Sequence, residues 1–148
     1  GAIVLREPVM RGTSSANVQY EISAATAHTK GASNTLINLR DIDAQFEPVG
    51  SAPGYVIEAK TGLMNNETGI LYLADGVTYR DDNGLVLMLV DLLYDTADGT
   101  GQTEKPVSGV APQGTLEASG LQISEAPAVY VFERARLTID PKAARAGK

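Results

Sequence analysis

The sequence has 148 residues and a formal net charge of −6, from 12 basic and 18 acidic side chains. That length suits one domain, and the acidity disfavours nucleic acid as a partner because phosphate binding needs clustered Lys and Arg. Cysteine is absent, so disulfides, thiolate metal sites and cysteine nucleophiles are excluded. The longest apolar run, Leu85–Val90, is much shorter than the roughly 20 residues that span a bilayer.

The chain is built from strand-like stretches that repeat. Four similar segments follow one another: YEISAATAHT from Tyr20, YVIEAKTGLM from Tyr55, LVLMLVDLLY from Leu85 and GTLEASGLQI from Gly114. The unit recurs about every thirty residues, as shown by the aligned residues Ala24, Ala59, Leu89 and Ala118. Apolar and polar residues alternate within the units, which predicts strands with one face on an apolar interior.

Second strands follow in three of the units, at 36–46, 70–79 and 129–139. Turn-forming residues separate the paired strands in NNETG, DDNG and TADGTG. Polar residues interrupt an apolar strand in LRDID (39–43), LADGV (73–77) and VFERARL (131–137), which predicts β-bulges that bend the sheet. The predicted fold class is all-β: about ten antiparallel strands without significant helix, in a curved two-sheet β-jellyroll open along one side or at its ends.

The ionisable residues form no recognisable catalytic or metal-binding constellation. His28 is the only histidine, and its surroundings, AHTKGASN, predict an exposed loop rather than a zinc ligand or a general base. Most Asp residues lie at predicted turns and bulges, where they serve the backbone. GTGQTEK (99–105) lacks the spacing of a phosphate-binding loop. We therefore expect no catalytic nucleophile, no cofactor and no metal.

Two functions from different classes remain open. One is a carrier that presents an apolar groove to a lipid, and the other is a shape-selective small β-barrel enzyme such as a cyclase. The small inward residues Ala24, Ala59, Ala118 and Gly120 either leave room between two sheets or lie where the sheets approach closely. The enzyme would need a closed pocket with a buried acid or tyrosine.

A longer string narrows the choice: A-x-x-G-L-M-N-N-E-T-G-I-L-Y-L-A-D-G-V from Ala59, followed by NG, L-Y-D-x-x-x-G and KPV. Together with G-x-L-x-A-x-G-L-x-I at Gly114–Ile123, it resembles the LptC family of periplasmic lipopolysaccharide-export proteins and, more broadly, OstA/LptA-like repeat domains. The resemblance extends from Leu5 to Ile139. The chain departs from the family pattern in lacking the N-terminal inner-membrane anchor and in its divergent first unit, ATAHTKGASN.

The resemblance implies one LptC-like β-jellyroll domain over residues 1–140, with residues 141–148 as a disordered basic tail. It implies a non-enzymatic bridge in the periplasm, normally tethered to the inner membrane by an N-terminal helix that is absent from this chain. The bridge would receive lipopolysaccharide from an inner-membrane ABC transporter (LptBFG). It would pass the lipid to LptA by edge-to-edge strand pairing, in the service of outer-membrane biogenesis.

Two sets of residues receive roles on this basis. The lipid groove is expected to be lined by residues of inward parity: Ile22, Ala24, Leu39, Ile57, Ala59, Leu71, Leu73, Leu87, Leu89, Leu116 and Val131. The docking edges are expected to be an N-terminal strand, Ile3–Met10, and a C-terminal strand, Arg136–Ile139. The first would meet the transporter through Ile3, Val4 and Leu5, and the second would meet LptA through Arg136, Leu137, Thr138 and Ile139.

Overall fold

The computed structural model describes residues 3–29, 35–125 and 128–140. Within those ranges the regular structure is β throughout, with fourteen strands and no helix. The strands are β1 (Val4–Arg6), β2 (Val9–Thr13), β3 (Gln19–Ser23), β4 (Thr26–Thr29), β5 (Leu36–Phe46), β6 (Tyr55–Asn65), β7 (Ile70–Asp81), β8 (Val86–Asp95), β9 (Thr100–Thr103), β10 (Val107–Ala111), β11 (Gly114–Ala118), β12 (Gly120–Glu125), β13 (Ala128–Glu133) and β14 (Arg136–Ile139). The all-β fold class is confirmed, with more strands than the sequence suggested. The tail expected at 141–148 lies outside the described residues.

The fourteen strands form one open antiparallel sheet that is folded over on itself. Four long strands, β5 to β8, pass from one half of the sheet to the other. Half-sheet 1 has the order β1-β4-β5-β6-β7-β8-β9-β12-β13, and half-sheet 2 has the order β2-β3-β5-β6-β7-β8-β10-β11-β14. The halves pack face to face around one apolar core. The two sheets expected of a jellyroll are therefore the halves of one curved sheet.

A line of bends, here called the crease, separates the two halves. At four of the places where the chain crosses from one half to the other, it does so at residues with positive φ: Glu7, Asp41, Asp75 with Gly76, and Arg134. Gly has no Cβ, and Asp is one of the few other residues that adopts this conformation readily, so the chain bends at Asp41 and at Asp75-Gly76 where other sequences would continue straight. The three bends predicted in LRDID, LADGV and VFERARL lie on the crease, but only LADGV has the predicted β-bulge, seen as a register shift between Ala74 and Val77. LRDID bends without a register shift, and VFERARL is divided between β13 and β14.

The thirty-residue repeat marks the crease at four other places where the chain crosses it. Ala24 lies between β3 and β4, Ala59 lies beside a register shift in β6, and Ala118 ends β11. Leu89 lies where β8 exchanges its partner β10 for β9. The three alanines are at most 9% exposed. Their small side chains therefore lie where the halves approach closely, and they do not leave open space.

The predicted turns connect the long strands. Asn65 Oδ1 accepts hydrogen bonds from the backbone N–H groups of Glu67 and Thr68, at 3.0 and 3.2 Å. The carboxylates of Asp81 and Asp95 accept from the backbone of the next two hairpins in the same way. These side-chain-to-backbone bonds explain why NNETG, DDNG and TADGTG form turns.

Two expectations near the N terminus are wrong. The single strand expected within Ile3–Met10 is divided, because the positive φ of Glu7 (51°) turns the chain from half-sheet 1 into half-sheet 2. The two pieces, β1 and β2, lie on different halves. His28 lies within β4, paired with strands on both sides, and not in an exposed loop.

Candidate functional site

The inner face of half-sheet 1 carries a mostly apolar row that crosses all nine of its strands. Directly paired residues share one face of a sheet. The register therefore defines the row as Leu5, Ala27, Leu39, Gly62, Leu73, Leu92, Thr103, Leu121 and Phe132. The central residues of the row are buried, whereas Leu5 at the β1 end is 50% exposed.

The inner face of half-sheet 2 carries a matching row. Its residues are Met10, Ile22, Ala44, Ile57, Tyr79, Leu87, Gly109, Leu116 and Leu137. The centre of this row is also fully buried, and Leu137 at the β14 end is 58% exposed. The two rows face each other across the core, so an apolar interior extends from strand edge to strand edge.

The structure places all but one of the residues predicted to line a groove on these inner faces. The buried ones are Ile22, Ala24, Leu39, Ile57, Ala59, Leu71, Leu73, Leu87 and Leu89, and Leu116 is partly buried against the core. The inward assignment of Val131 is wrong, because Val131 is exposed on the outer face opposite Gln122, while Tyr130 and Phe132 pack against the core. An offset of one residue exchanges the two faces of a strand. Contact of the inner residues with lipid stays a prediction.

The interior between the half-sheets is packed. Leu73, Leu87 and Leu92 have no exposed surface. The space beside Tyr79 and Tyr130 is a cavity of about 10 Å³, far too small for an acyl chain. A chain of methylene groups therefore enters only where side chains are displaced or the half-sheets part.

The side of the sandwich opposite the crease, here called the seam, is closed by aromatic side chains. The hydroxyls of Tyr55 (half-sheet 2) and Tyr94 (half-sheet 1) are 2.5 Å apart, and those of Tyr79 and Tyr130 are 2.6 Å apart. Phe46 stacks on the ring of Tyr55 with centroids 4.4 Å apart and also contacts Tyr94, at 5.0 Å. These two hydrogen bonds, a third from Tyr130 to Asp81, and the ring contacts join the half-sheets along the seam. The backbone N–H of Ser15 adds a bond to the carbonyl of Ala97 on the same side.

The tyrosines at one end of the seam form a directed chain of hydrogen bonds. Tyr130 donates to Asp81 Oδ2 at 3.3 Å, so Tyr79 donates to Tyr130. Burial raises the pKa of Tyr130 to about 12. The negative charge of Asp81 also raises this pKa, whereas the hydrogen bond from Tyr79 acts to lower it. Burial also raises the pKa of Tyr79, and its bond to Tyr130 acts in the same direction. Because both groups favour the neutral form, they suit a closure better than a base or a nucleophile.

A second polar cluster lies beside the crease. This cluster links β8 to the connection between β9 and β10. The carboxylate of Asp91, which is 8% exposed, accepts bonds from Thr103 Oγ1 at 2.7 Å and Tyr72 OH at 3.0 Å and pairs with Lys105 Nζ at 2.6 Å. Burial acts to raise the pKa of Asp91, but the bonds from Lys105, Thr103 and Tyr72 outweigh it and hold the pKa below its ordinary value of 3.8. A carboxylate with three partners indicates a structural clamp.

Each half-sheet ends in an edge strand at both ends of the molecule. Among the described residues, β1 pairs only with β4 and β2 only with β3, while β13 pairs only with β12 and β14 only with β11. The predicted edge residues lie on these outermost strands: Ile3, Val4 and Leu5 at the N-terminal end, and Arg136, Leu137, Thr138 and Ile139 on β14. The partners assigned to these edges stay a prediction. The edges formed by β2 and β13 were missed.

The sequence reasoning also missed the seam and the Asp91 clamp. A signal for the seam was present, because Phe46 ends β5, Tyr55 begins β6 and Tyr94 lies one residue from the end of β8. Aromatic residues beside turns, in a chain with few aromatics, mark the rim of the sandwich. The clamp gave no such signal, because Asp91 follows an unbroken apolar run and meets its partners only through the fold.

The sequence matches no protein-family model, and no curated protein matches it. Within the described ranges no helix is long and apolar enough to cross a membrane. The same residues contain no group of three or more His, Cys, Asp or Glu side chains placed to hold a metal ion. The interior, the seam and the edges are therefore the features of this chain that bear on its function.

Proposed function

We propose that this chain is a non-enzymatic lipid carrier that forms part of a periplasmic bridge in lipopolysaccharide export. It receives lipopolysaccharide from the inner-membrane ABC transporter LptBFG and shelters the acyl chains between its half-sheets. It passes the lipid on to LptA. Its location is the periplasm, beside the inner membrane.

The observation that carries this proposal is the exposure of inner-face apolar residues at both ends of the interior. Leu5 is 50% exposed on β1, and Leu137 and Ile139 are each 58% exposed on β14. An isolated domain gains by covering such side chains, because burial of a Leu or Ile contributes about 1.5–3 kcal/mol. Apolar surface that continues to an uncovered edge suits the transfer of an apolar cargo to the next protein.

The physics of the cargo fits a protein without catalytic groups. Exposure of an acyl chain to water costs about 0.8 kcal/mol for each CH₂ group. A continuous apolar path removes that cost during passage and requires neither tight binding nor a local energy source. The transporter spends ATP, so the carrier needs no nucleotide site of its own.

The strand edges supply the means of docking. An edge strand presents unpaired N–H and C=O groups and invites strand addition unless it is covered or interrupted. The side chains of β1 and β14 are exposed along their whole length. We assign β1 to the transporter side and β14 to LptA.

The alternative, a shape-selective β-barrel enzyme such as a cyclase, has less support. It needs a closed pocket around a buried acid or tyrosine. The buried pair of Tyr79 and Tyr130 adjoins a cavity of about 10 Å³, whereas small-molecule sites begin at about 300 Å³. Asp91 is paired with Lys105 and hydrogen-bonded to two hydroxyls.

Site-specific photocrosslinking tests the proposal with matched neighbours. Benzoylphenylalanine is placed at Ile57 and Leu137, which face inward, and at Glu58 and Thr138, which alternate with them and face outward. We expect lipopolysaccharide adducts at the two inner positions during active export and few or none at the outer ones.

Substitution at Leu137 and Thr138 is expected to leave the fold intact, because neither side chain is buried. A comparison of these two positions is therefore informative even when the Ile57 variant misfolds. Adducts that require ATP hydrolysis by the transporter would support passage rather than adventitious lipid. Equal labelling of inner and outer positions, or labelling only at Glu58 and Thr138, would rule the carrier out.

A further inference from the structure

A concave site of about 380 Å³, here called the outer cup, lies on the outer face of half-sheet 1. It is formed by β7, β8, β9, β12 and β13, on the side of the sheet away from the core. The register places one row across it, Leu93, Gln102, Gln122 and Val131, and the pairs Asp95–Thr100 and Ser124–Val129 lie beside that row. Its volume lies within the range of about 300–1,000 Å³ that is usual for small-molecule sites.

The floor of the cup is polar and its walls are aliphatic. Gln102 and Gln122 lie directly opposite each other at the centre. Within the described part of the chain, neither amide side chain makes a hydrogen bond, so each offers two N–H donors and one acceptor to a ligand. Val129 and Val131 form one wall and are 44% and 45% exposed, while Ile70 and Leu93 form the other.

The charge of the cup selects against anions. None of the residues that line it is Lys, Arg or His. Its one ionisable side chain, Asp95, already accepts bonds from the backbone N–H groups of Ala97 and Asp98. A phosphate or carboxylate ligand would meet a negative charge without a compensating cation. A neutral ligand with many hydroxyl groups and an apolar face fits both the amide floor and the aliphatic walls.

We propose that the outer cup binds a neutral saccharide. Vicinal hydroxyls match the paired amides of Gln102 and Gln122, and the C–H face of a sugar ring packs against Val129 and Val131. The cup adjoins the seam, because Ile123 and Ser124 line both the cup and the small seam cavity. The saccharide is therefore either a free oligosaccharide or the carbohydrate of a glycolipid whose acyl chains enter at the seam.

A titration followed by NMR tests the site on the folded protein. Maltose and dodecyl maltoside, the latter below its micelle concentration, are the probes for the two sources. We expect saturable shifts of the side-chain NH₂ groups of Gln102 and Gln122 and of the methyl groups of Val129 and Val131. Equal affinity for both probes assigns the site to free sugar. Tighter binding of dodecyl maltoside, with added shifts at seam residues such as Tyr130, assigns it to glycolipid.

The double variant Q102A/Q122A is expected to bind maltose about tenfold more weakly, which is the loss of about 1.4 kcal/mol that two missing hydrogen bonds imply. The matched control is Gln45→Ala, because Gln45 is also exposed on an outer face, on half-sheet 2. Glucose 6-phosphate is expected to bind more weakly than maltose.

Three results overturn the assignment: no saturable shift at about 100 mM maltose, unchanged affinity in Q102A/Q122A, or a response to dodecyl maltoside alone. The first two show that the cup does not recognise sugar, and the third shows that the alkyl chain drives the contact. None of these results bears on crosslinking of lipopolysaccharide at Leu137, so this proposal and the carrier proposal fail separately.

Discussion

Asp91 shows how a single buried carboxylate fastens three strands. Its oxygens hold Tyr72 on β7, Thr103 on β9 and Lys105 in the following connection. We expect Asp91→Asn to lower the free energy of unfolding by about 1–3 kcal/mol at neutral pH, since the charge-assisted bonds are weakened and the NH₂ group that replaces one carboxylate oxygen cannot accept a hydrogen bond. Urea unfolding at about pH 7 measures the loss.

The pH dependence of this loss follows from the lowered pKa of Asp91. The unfolded carboxyl, with the ordinary pKa of 3.8, binds protons before the folded one does as acid is added. The stabilisation is therefore complete well above pH 3.8 and is lost as the pH falls through the folded pKa. The difference between the native chain and Asp91→Asn should shrink in acid. The control is Asp98→Asn, an exposed turn residue. A difference that is constant with pH would refute the clamp.

At the scale of the strand, the crease depends on backbone conformation rather than on side-chain contacts. Gly76 has a φ of 88°, and a Cβ added there would meet no atom within 4 Å. Backbone strain from the positive φ is therefore the only cost expected when a Cβ is added at this position. We expect Gly76→Ala to destabilise the fold by about 1 kcal/mol, measured by thermal or urea unfolding.

The opposite substitution, from a residue with a Cβ to glycine, can be made at Asp41. Asp41 occupies the crease of β5 with a φ of 53° and an exposed side chain. Asp41→Gly should be neutral or stabilising by up to about 0.5 kcal/mol, because relief of strain offsets the greater freedom of the unfolded chain. A destabilising Asp41→Gly together with a neutral Gly76→Ala would show that the crease is held by contacts instead.

The strands and hairpin turns were predictable from sequence because their causes are local. Alternation places Ile57 inward and Glu58 outward, and Asn65, Asp81 and Asp95 carry their own turn chemistry. The bends at Asp41 and Asp75-Gly76 were predictable for the same reason. The bend at Glu7 was not, since Glu rarely adopts positive φ and gives no local signal.

The candidate site was less predictable because its contacts are distant in sequence. Tyr55 and Tyr94 meet across 39 residues, and Tyr79 and Tyr130 across 51. No local pattern specifies such a pair. Alternation in the sequence shows that every second residue of a strand shares a face, but it does not show which of the two faces lies on the core. For Val131 the face is decided by its pairing with Gln122, which places it outward. The outer cup depends on that same pairing.

At the scale of the whole molecule, the seam is the natural route for a cargo with a large hydrophilic head. Sugars and phosphates cannot pass through an apolar interior without losing their hydration, because unpaired polar groups are costly to bury. Under the proposed function they stay outside while the acyl chains lie between the half-sheets. An opening along the length of the sandwich satisfies both requirements. The four long strands β5 to β8 run through the crease and hold it with their ladders of backbone hydrogen bonds. In the described residues the seam has no such ladder: it is closed by side-chain contacts and by a backbone hydrogen bond from the N–H of Ser15 to the carbonyl of Ala97.

The proposed function therefore predicts that a locked seam stops loading. The chain has no cysteine, so Tyr55→Cys and Tyr94→Cys can be joined across the seam by a short bis-maleimide linker. We expect the joined protein to keep its fold, as judged by circular dichroism, but to accept no lipopolysaccharide from the transporter. A linker with a reducible disulfide should restore loading when reductant is added. Each single-cysteine variant, treated with the same reagent, controls for loss of the tyrosine and for the bulk of the linker. Loading at the unlocked rate in the joined protein would show that acyl chains enter through the ends at β1 or β14, and the seam would then be a permanent closure.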